Sequence, residues 1–275
     1  MFGYHGQAMV VDLTSRIVRT DPIPQHVLHQ FIGGIGLGTY LLYNYCPARV
    51  DPLGPDNPLI FVGSPLIGSK LTTSSKFAVL AKSPLTGFIG DSLSSSFLAL
   101  ELKKTGHDAL IIIGRCENPT LLSVIDGRVK FIDATDLLGL STSDTEMTIK
   151  TRLGRQTRVA CIGPAGERLV RFATISNDGG RQAGRTGTGA VMGSKNLKAI
   201  ALRGNINLSV NNPKKLSEIQ RTLTQRSLGV ATEKYRSLGT IANVSVFNRL
   251  GTLPTYNFKQ STFEQTEPIS GESLH

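Results

Sequence analysis

Asp108-Ala109-Leu110-Ile111-Ile112-Ile113-Gly114, then Leu121 to Ile125, Asp126-Gly127, and Val129 to Ile132, decide the fold class of this chain. The first run is short, continuously apolar and rich in isoleucine, which is the pattern of a buried strand. The second and third flank Asp-Gly, a pair that tolerates the positive φ angles of a tight primed turn, so they read as a β-hairpin. Toward the N-terminus, Ala8 to Leu13, a Thr14-Ser15 turn and Ile17 to Arg19 form another hairpin, and Leu59 to Val62 and Phe77 to Ala81 are buried strands. Two helices interrupt them. Pro24 to Ile32 has Val27, Leu28, Phe31 and Ile32 at helical spacing and stops at Gly33-Gly34; Leu37 to Tyr45 follows, with Gly36 and Gly38 at its start.

Toward the C-terminus, Ser143-Asp144-Thr145-Glu146 has capping-box spacing and predicts a helix to about Leu153. Arg158 to Ile162, Val170 to Ile175 and Ala199 to Arg203 read as strands. After Asn205 the pattern turns helical: Pro213 to Leu228 places Leu216, Ile219 and Leu223 on one face, and a further helix falls around Ile241 to Phe247. The polar tail from Gln260 is expected to be poorly ordered. The expectation is an α+β domain over 1–207 followed by the start of an α-helical domain over 208–275.

A hydrophobic content of 40% with 18% charge is ordinary for a soluble globular protein. No apolar stretch approaches a membrane span, and Met1 to Gly6 has no basic region followed by an apolar one, so the cytoplasm is expected. Cys46, Cys116 and Cys161 stand far apart with no CxxC, which argues against a zinc or iron–sulfur site within this chain and for small packed residues. His5, His26, His29, His107 and His275 are scattered and suggest surface or structural roles rather than a triad or metal set. Asp51 to Pro58 reads as a turn-rich loop, not a carboxylate pair.

The net charge of +10 is concentrated. Lys150 to Gly204 holds eleven basic residues against Glu167 and Asp178, a local charge of +9. Such an excess implies an anionic partner (cofactor phosphate, nucleic acid or an acidic protein face), the plain alternative being a solvated basic surface. Within it, Asn177-Asp178-Gly179-Gly180-Arg181-Gln182-Ala183-Gly184-Arg185-Thr186-Gly187-Thr188-Gly189 combines backbone freedom with two guanidinium groups four residues apart, a phosphate cradle in physical terms. A second stretch, Ser69 to Lys76 and Gly87 to Ser96, is dense in hydroxyls. It suits a hydrogen-bond-rich anion, the more so if a helix begins near Leu93 or Ser94, and a flexible polar loop equally well. No GxxxxGK[ST] is present, and neither Gly34-Ile35-Gly36-Leu37-Gly38 nor Gly184 to Gly189 has the strand–turn–helix setting of a dinucleotide site.

Five phrases carry a resemblance: Phe31-Ile32-Gly33-Gly34 with Gly36-Leu37-Gly38; Asp51-Pro52-Leu53-Gly54-Pro55; Ser83-Pro84-Leu85-Thr86-Gly87; Ile162-Gly163-Pro164-Ala165-Gly166-Glu167; and Gly189-Ala190-Val191-Met192-Gly193-Ser194-Lys195-Asn196-Leu197-Lys198-Ala199-Ile200. In these the chain resembles the tungsten-containing aldehyde ferredoxin oxidoreductases, in order from Met1 to about Glu264. The resemblance implies a β-rich, two-sheet N-terminal domain on which two pterin cofactors lie, holding tungsten or molybdenum, with magnesium bridging their phosphates. It also implies a [4Fe–4S] cluster and oxidation of aldehydes to carboxylates with electrons passed to ferredoxin. Pterin-contacting positions fall by resemblance at Lys76, Leu93, Ser94, Ser95, Arg181 and Gln182, with Ala183, Gly184 and Arg185 continuing the cradle. The carbonyls of Leu93 and Gln182 fall where the family ligates magnesium.

The chain departs from the family at Lys76 (usually Arg), Leu93 (Asn), Ser95-Ser96 (paired glycines) and Ile35 (Arg). The cluster motif CxxCxxxC would be expected beyond its last residue, and no catalytic residue is expected within it. Three readings follow: a cofactor-binding part, inactive alone, that pairs with a separate chain carrying cluster and substrate pocket, as such or as a homodimer; a degenerate remnant without metal; or a basic nucleic-acid module. The last is weakest, because there is no tryptophan and no basic–aromatic interleaving. The first predicts exposed apolar surface after residue 205.

Overall fold

The Asp126-Gly127 hairpin is present in the computed structural model, which describes residues 1–274, so His275 lies outside the described residues. Asp126 and Gly127 take φ of 49° and 78°, as a primed turn requires. Twelve strands form two six-stranded mixed sheets. The first contains β1 (Gln7–Asp12), β2 (Ile17–Pro22), β3 (Leu59–Val62), β4 (Lys76–Lys82), β5 (Ile89–Ser95) and β6 (Ala109–Ile113), in the order β2-β1-β6-β3-β4-β5. The second contains β7 (Thr120–Ile125), β8 (Arg128–Asp133), β9 (Arg158–Cys161), β10 (Ile175–Asn177), β11 (Arg181–Ala183) and β12 (Leu197–Arg203), in the order β11-β10-β9-β12-β7-β8. One neighbouring pair in each sheet is parallel, β1 with β6 and β7 with β12. The fold class is α+β.

Continuous apolar strands arise because both faces are covered. Val11, Phe61, Val79 and Ile112 of the first sheet meet Leu122, Val124, Ile200 and Leu202 of the second in the central core. The opposite face of the first sheet (Val10, Ile60, Leu80, Ile111) packs under α1 (Gln25–Phe31) and α2 (Gly34–Tyr45). The outer face of the second (Leu121, Val159, Cys161, Ala201) takes Ile149 of α4 (Thr142–Leu153). The last turn of α3 (Leu98–Lys104) supplies a buried ion pair: Lys103 bonds Asp108, whose carboxylate also accepts the amides of His5 and Gly6. Burial pushes the imidazoles of His5 and His107 down, so both are neutral structural groups here.

Several boundaries differ from expectation for identifiable reasons. Helix α2 begins at Gly34, not Leu37, because its glycines are contact points: a Cβ on Gly38 would stand 2.2 Å from Leu80 Cδ1. The cap of α4 is Ser141, whose Oγ accepts from Asp144 N at 3.1 Å, two residues before the Ser143 box. Val170 to Thr174 is not strand; the four-residue α5 (Pro164–Glu167) and a turn precede β10. No helix starts at Leu93 or Ser94, since β5 continues to Ser95 and α3 opens at Leu98. The glycine-rich run holds β11 and α6 (Thr188–Ser194).

The chain divides into two compact units, Met1–Pro213 and Lys214–His275. In the second, α7 (Pro213–Ser227), α8 (Val230–Leu238) and α9 (Val244–Arg249) bury no residue, and Leu223, Leu228, Val230 and Leu250 are exposed. The tail is more ordered than expected: α10 (Gly271–Leu274) sets Gly271 against Ala242, with Thr266 and Ser270 buried. Among the described residues no helix is long and apolar enough to cross a membrane.

Candidate functional site

The three polar stretches singled out in the sequence converge. A cleft of about 580 Å³ is lined by Leu71, Thr73, Ser74, Ser75 and Lys76 on one side, Ser95, Ser96 and Phe97 on a second, and Asp178 and Arg181 on a third. Lys76 opens β4 and is the register partner of Ser95 at the end of β5. Arg181 opens β11 and pairs with Asn177 of β10 across the Asp178-Gly179-Gly180 turn, all three residues of which take positive φ. Each sheet thus contributes one cation at a strand start.

Strand alternation decides which side chains of β5 face outward. Ile89, Asp91, Leu93 and Ser95 are exposed, while Gly90, Ser92 and Ser94 are buried. Ser94 therefore points inward and donates to Asn177 Oδ1 at 3.2 Å. Leu93 lies on the outward face, 53% exposed. On the opposite wall Ala183 is buried, and the Gln182 carboxamide is engaged within its own hairpin, accepting from Thr174 Oγ1 (2.6 Å) and donating to Ser176 Oγ (3.0 Å). Gly184 and Arg185 follow; Arg185 is exposed with φ of 63°. Of the residues expected to contact cofactor, Lys76, Ser95 and Arg181 line the cleft; Leu93, Gln182, Gly184 and Arg185 stand outside its lining, and Ser94 and Ala183 turn inward.

The electrostatics favour an anion. Lys76 and Arg181 have no carboxylate partner among the described residues, nor do Arg155, Arg168, Arg171 and Arg185. Four others of the basic run are paired locally: Lys150 with Glu146, Arg152 with Asp136, Arg203 with Asp126 and Lys198 with Glu167. Asp178, the one acid of the lining, is committed: its Oδ2 accepts the Leu98 amide at 3.1 Å, and the Arg158 guanidinium, lying over the Phe97 ring, stands 3.7 Å from Oδ1. Two buried atoms beside the cleft, Asn177 Nδ2 and Asp178 Oδ1, have no hydrogen-bond partner. Phe97 was not readable as a site residue, since an isolated Phe after a serine run carries no local signal of its wall position, whereas Asn177 heads the glycine-rich stretch already singled out.

Residues 8–204 match the family model described as aldehyde ferredoxin oxidoreductase, N-terminal domain. The chain belongs to the aldehyde ferredoxin oxidoreductase family. It is 39% identical to the tungsten-containing aldehyde ferredoxin oxidoreductase of Pyrococcus abyssi, over all of this chain and 46% of that protein. It is 38% identical to the one of Thermococcus kodakarensis, with the same coverage, and 33% to the aliphatic sulfonate oxidoreductase, WOR-like subunit, of Pyrococcus furiosus, over 98% of this chain and 45% of that one. Among solved structures it is similar to the active-site complex of benzoyl-coenzyme A reductase with 1,5-dienoyl-CoA (TM-score 0.74, 29% identity, 91% of this chain and 36% of that one). The chain spans a little under half the length of the curated relatives it matches.

Two features bear on the family's cofactors. Ser95 and Ser96 sit without backbone strain, because neither takes positive φ, and Ser96 Oγ accepts the Leu98 amide at 3.2 Å. The thiols do not fit an iron–sulfur cluster. Cys116 sits in the central core, Cys161 in the outer core of the second sheet and Cys46 at the end of α2; burial pushes the Cys161 thiol up to about 12, whereas a cluster needs thiolates. Among the described residues no group of three or more His, Cys, Asp or Glu is placed to hold a metal.

Proposed function

We propose that this chain is the cofactor-holding part of an aldehyde:ferredoxin oxidoreductase-like enzyme and that its cleft binds the phosphate end of a tungsten- or molybdenum-bearing pterin. The observation that carries this is the pair of cations without carboxylate partners, Lys76 and Arg181, facing one cleft rich in serine and threonine hydroxyls, beside a buried carboxamide whose Nδ2 has no partner. Charge-assisted hydrogen bonds from two such cations to one phosphate are stronger than those from neutral donors. When bound, the metal–pterin group supplies the two-electron oxidation of an aldehyde to a carboxylate, with electrons passing by way of a [4Fe–4S] cluster to ferredoxin.

This chain's residues do the holding. Lys76 and Arg181 neutralise the phosphate, Ser74 and Ser95 offer hydroxyls to its oxygens, and Phe97 closes one wall against water; the Ser75 hydroxyl is already given to the Ser96 carbonyl at 2.7 Å. Backbone carbonyls of Leu93 and Gln182 are the places we assign to magnesium. Cluster ligands and the substrate pocket lie outside this chain, in further sequence or in a separate partner; the exposed apolar residues of α7 to α9 support such a cover, and a homodimer is a further way to supply it. The cytoplasm, where ferredoxin works, is the compartment we assign.

One observation favours a different reading. Leu93 puts an exposed isobutyl group on the face where the family has a polar side chain, which suits a chain that no longer loads cofactor. Metal analysis of the protein purified anaerobically from its native host separates the two. Near-stoichiometric tungsten or molybdenum with oxidisable pterin supports the holding role; folded protein free of both leaves the remnant.

A further inference from the structure

Three buried serines, two on β5 and one just past the end of β4, all end on the segment that carries the arginines. Ser83, just past β4, donates through Oγ to the Thr186 carbonyl at 2.6 Å. Ser92 on β5 donates to the Gly184 carbonyl at 2.6 Å and lies 3.3 Å from Thr186 Oγ1. Ser94 donates to Asn177 Oδ1 at 3.2 Å. Gly90 shows how closely this seat is made, since a Cβ there would stand 3.0 Å from Thr186 Cβ and 3.1 Å from Ser83 Cβ.

The segment so held does not support itself. Strand β11 is three residues long, and Asp178, Arg185 and Thr186 take φ of 41°, 63° and 54°, a region non-glycine residues keep only when surrounding contacts over-determine it. Ile175 and Ala183 anchor the hairpin in the central core, so it stays attached without the serines. What the serines add is register. They tie both ends of the stretch bearing Arg181 and Arg185 to the strand whose last residue pairs with Lys76.

We propose that Ser83, Ser92 and Ser94 are positioning residues, holding the Asn177–Thr186 segment against β5 and so setting where the Arg181 guanidinium stands relative to the Lys76 ammonium across the cleft. That this spacing serves a phosphate-bearing ligand rests on the anion-binding reading above; the positional claim does not.

The test uses the full chain, with inorganic pyrophosphate as probe. In the free protein, Ser92→Ala is expected to speed deuterium exchange over Arg181–Gly189 about tenfold, the loss of one hydrogen bond, while β6 is unchanged. Pyrophosphate affinity falls by a similar factor, about tenfold, and Ser92→Thr, which keeps the hydroxyl, restores both. In an Arg181→Ala background, adding Ser92→Ala should lower affinity less than about twofold, because the serine acts through the arginine. Unchanged exchange in Ser92→Ala overturns the positional claim, and so does an equal loss of affinity with or without Arg181. If the parent chain ignores pyrophosphate, the anion reading falls, and exchange over Arg181–Gly189 still decides the role of the serines.

Discussion

The two walls of the cleft are built from different material. β5 is bonded to β4 along its whole length, keeps φ in the ordinary extended region and presents alternate side chains to the two faces. The facing wall, Asn177 to Thr186, has two three-residue strands, positive φ at Asp178, Gly179, Gly180, Arg185 and Thr186, and hydrogen bonds in place of a long ladder. On the first wall backbone geometry asks little of residue identity, since none of Leu93, Ser95 and Ser96 takes a positive φ. On the second, conformation dictates residue type. The contrast makes graded predictions.

The largest effect belongs where the second wall turns into α6. Gly187 has φ of 80°, and a Cβ there would lie 2.0 Å from the Arg171 carbonyl oxygen, a backbone atom that cannot step aside. Gly187→Ala should destabilise by more than about 4 kcal/mol, seen in urea unfolding as a lost native baseline. On the first wall Gly90→Ala, with only tight side-chain contacts at 3.0 and 3.1 Å, should cost about 1–3 kcal/mol. Equal losses at both sites would erase the distinction.

The helix that follows the second wall ends on a titrating group. Lys195, the C-cap of α6, is fully buried, and its Nζ reaches the carbonyls of Pro55 (2.8 Å) and Gly114 (3.1 Å). Burial, helped by Arg115, pulls it down to about 7. A neutral amine has two N–H donors, enough for both carbonyls, and avoids burying a charge. In the unfolded chain the group titrates near 10.4, so between about 7 and 10 the unfolded state holds the extra proton. Stability therefore rises with pH across that window, by at most about 1.4 kcal/mol per unit, and is lost as pH falls toward 7. Denaturation at a series of pH values should show the slope in the parent chain and a flatter one in Lys195→Met. Matching slopes would mean Lys195 stays charged.

Between these and the smallest effect stands Arg181. With no carboxylate to release, Arg181→Ala should leave stability within about 0.5 kcal/mol and weaken pyrophosphate binding by about 1.5–3 kcal/mol. Lys76→Arg on the first wall should tighten it, a fork replacing a point charge. Calorimetric titration of the three proteins orders them.

The same contrast explains what could be read from sequence. The first wall was legible: Phe77 to Ala81 is apolar enough to announce a strand, and Lys76 precedes it. The glycine-rich wall was legible as a run of backbone freedom but not as β11 and α6, because Gly187, Gly189 and Gly193 are there for close approach, and glycine counts against helix in any propensity argument. Phe97 reaches the cleft only through the way β5 runs into α3, and sequence spacing does not encode that. Val170 to Thr174 misled because its apolar residues serve a turn; Phe172 is exposed.

The smallest structural effect carries the sharpest functional question. Leu93→Asn alters an outward, half-exposed side chain on a fully bonded strand, so unfolding should move by no more than about 0.5 kcal/mol. If the first wall tolerates any residue because only its backbone meets the cofactor, metal occupancy in protein from the native host should be the same for parent and variant. If instead the polar side chain is what the family uses there, occupancy should rise in Leu93→Asn while stability stays put. A rise would place the loss of cofactor affinity at this one side chain, on the wall where backbone geometry leaves residue identity free to drift.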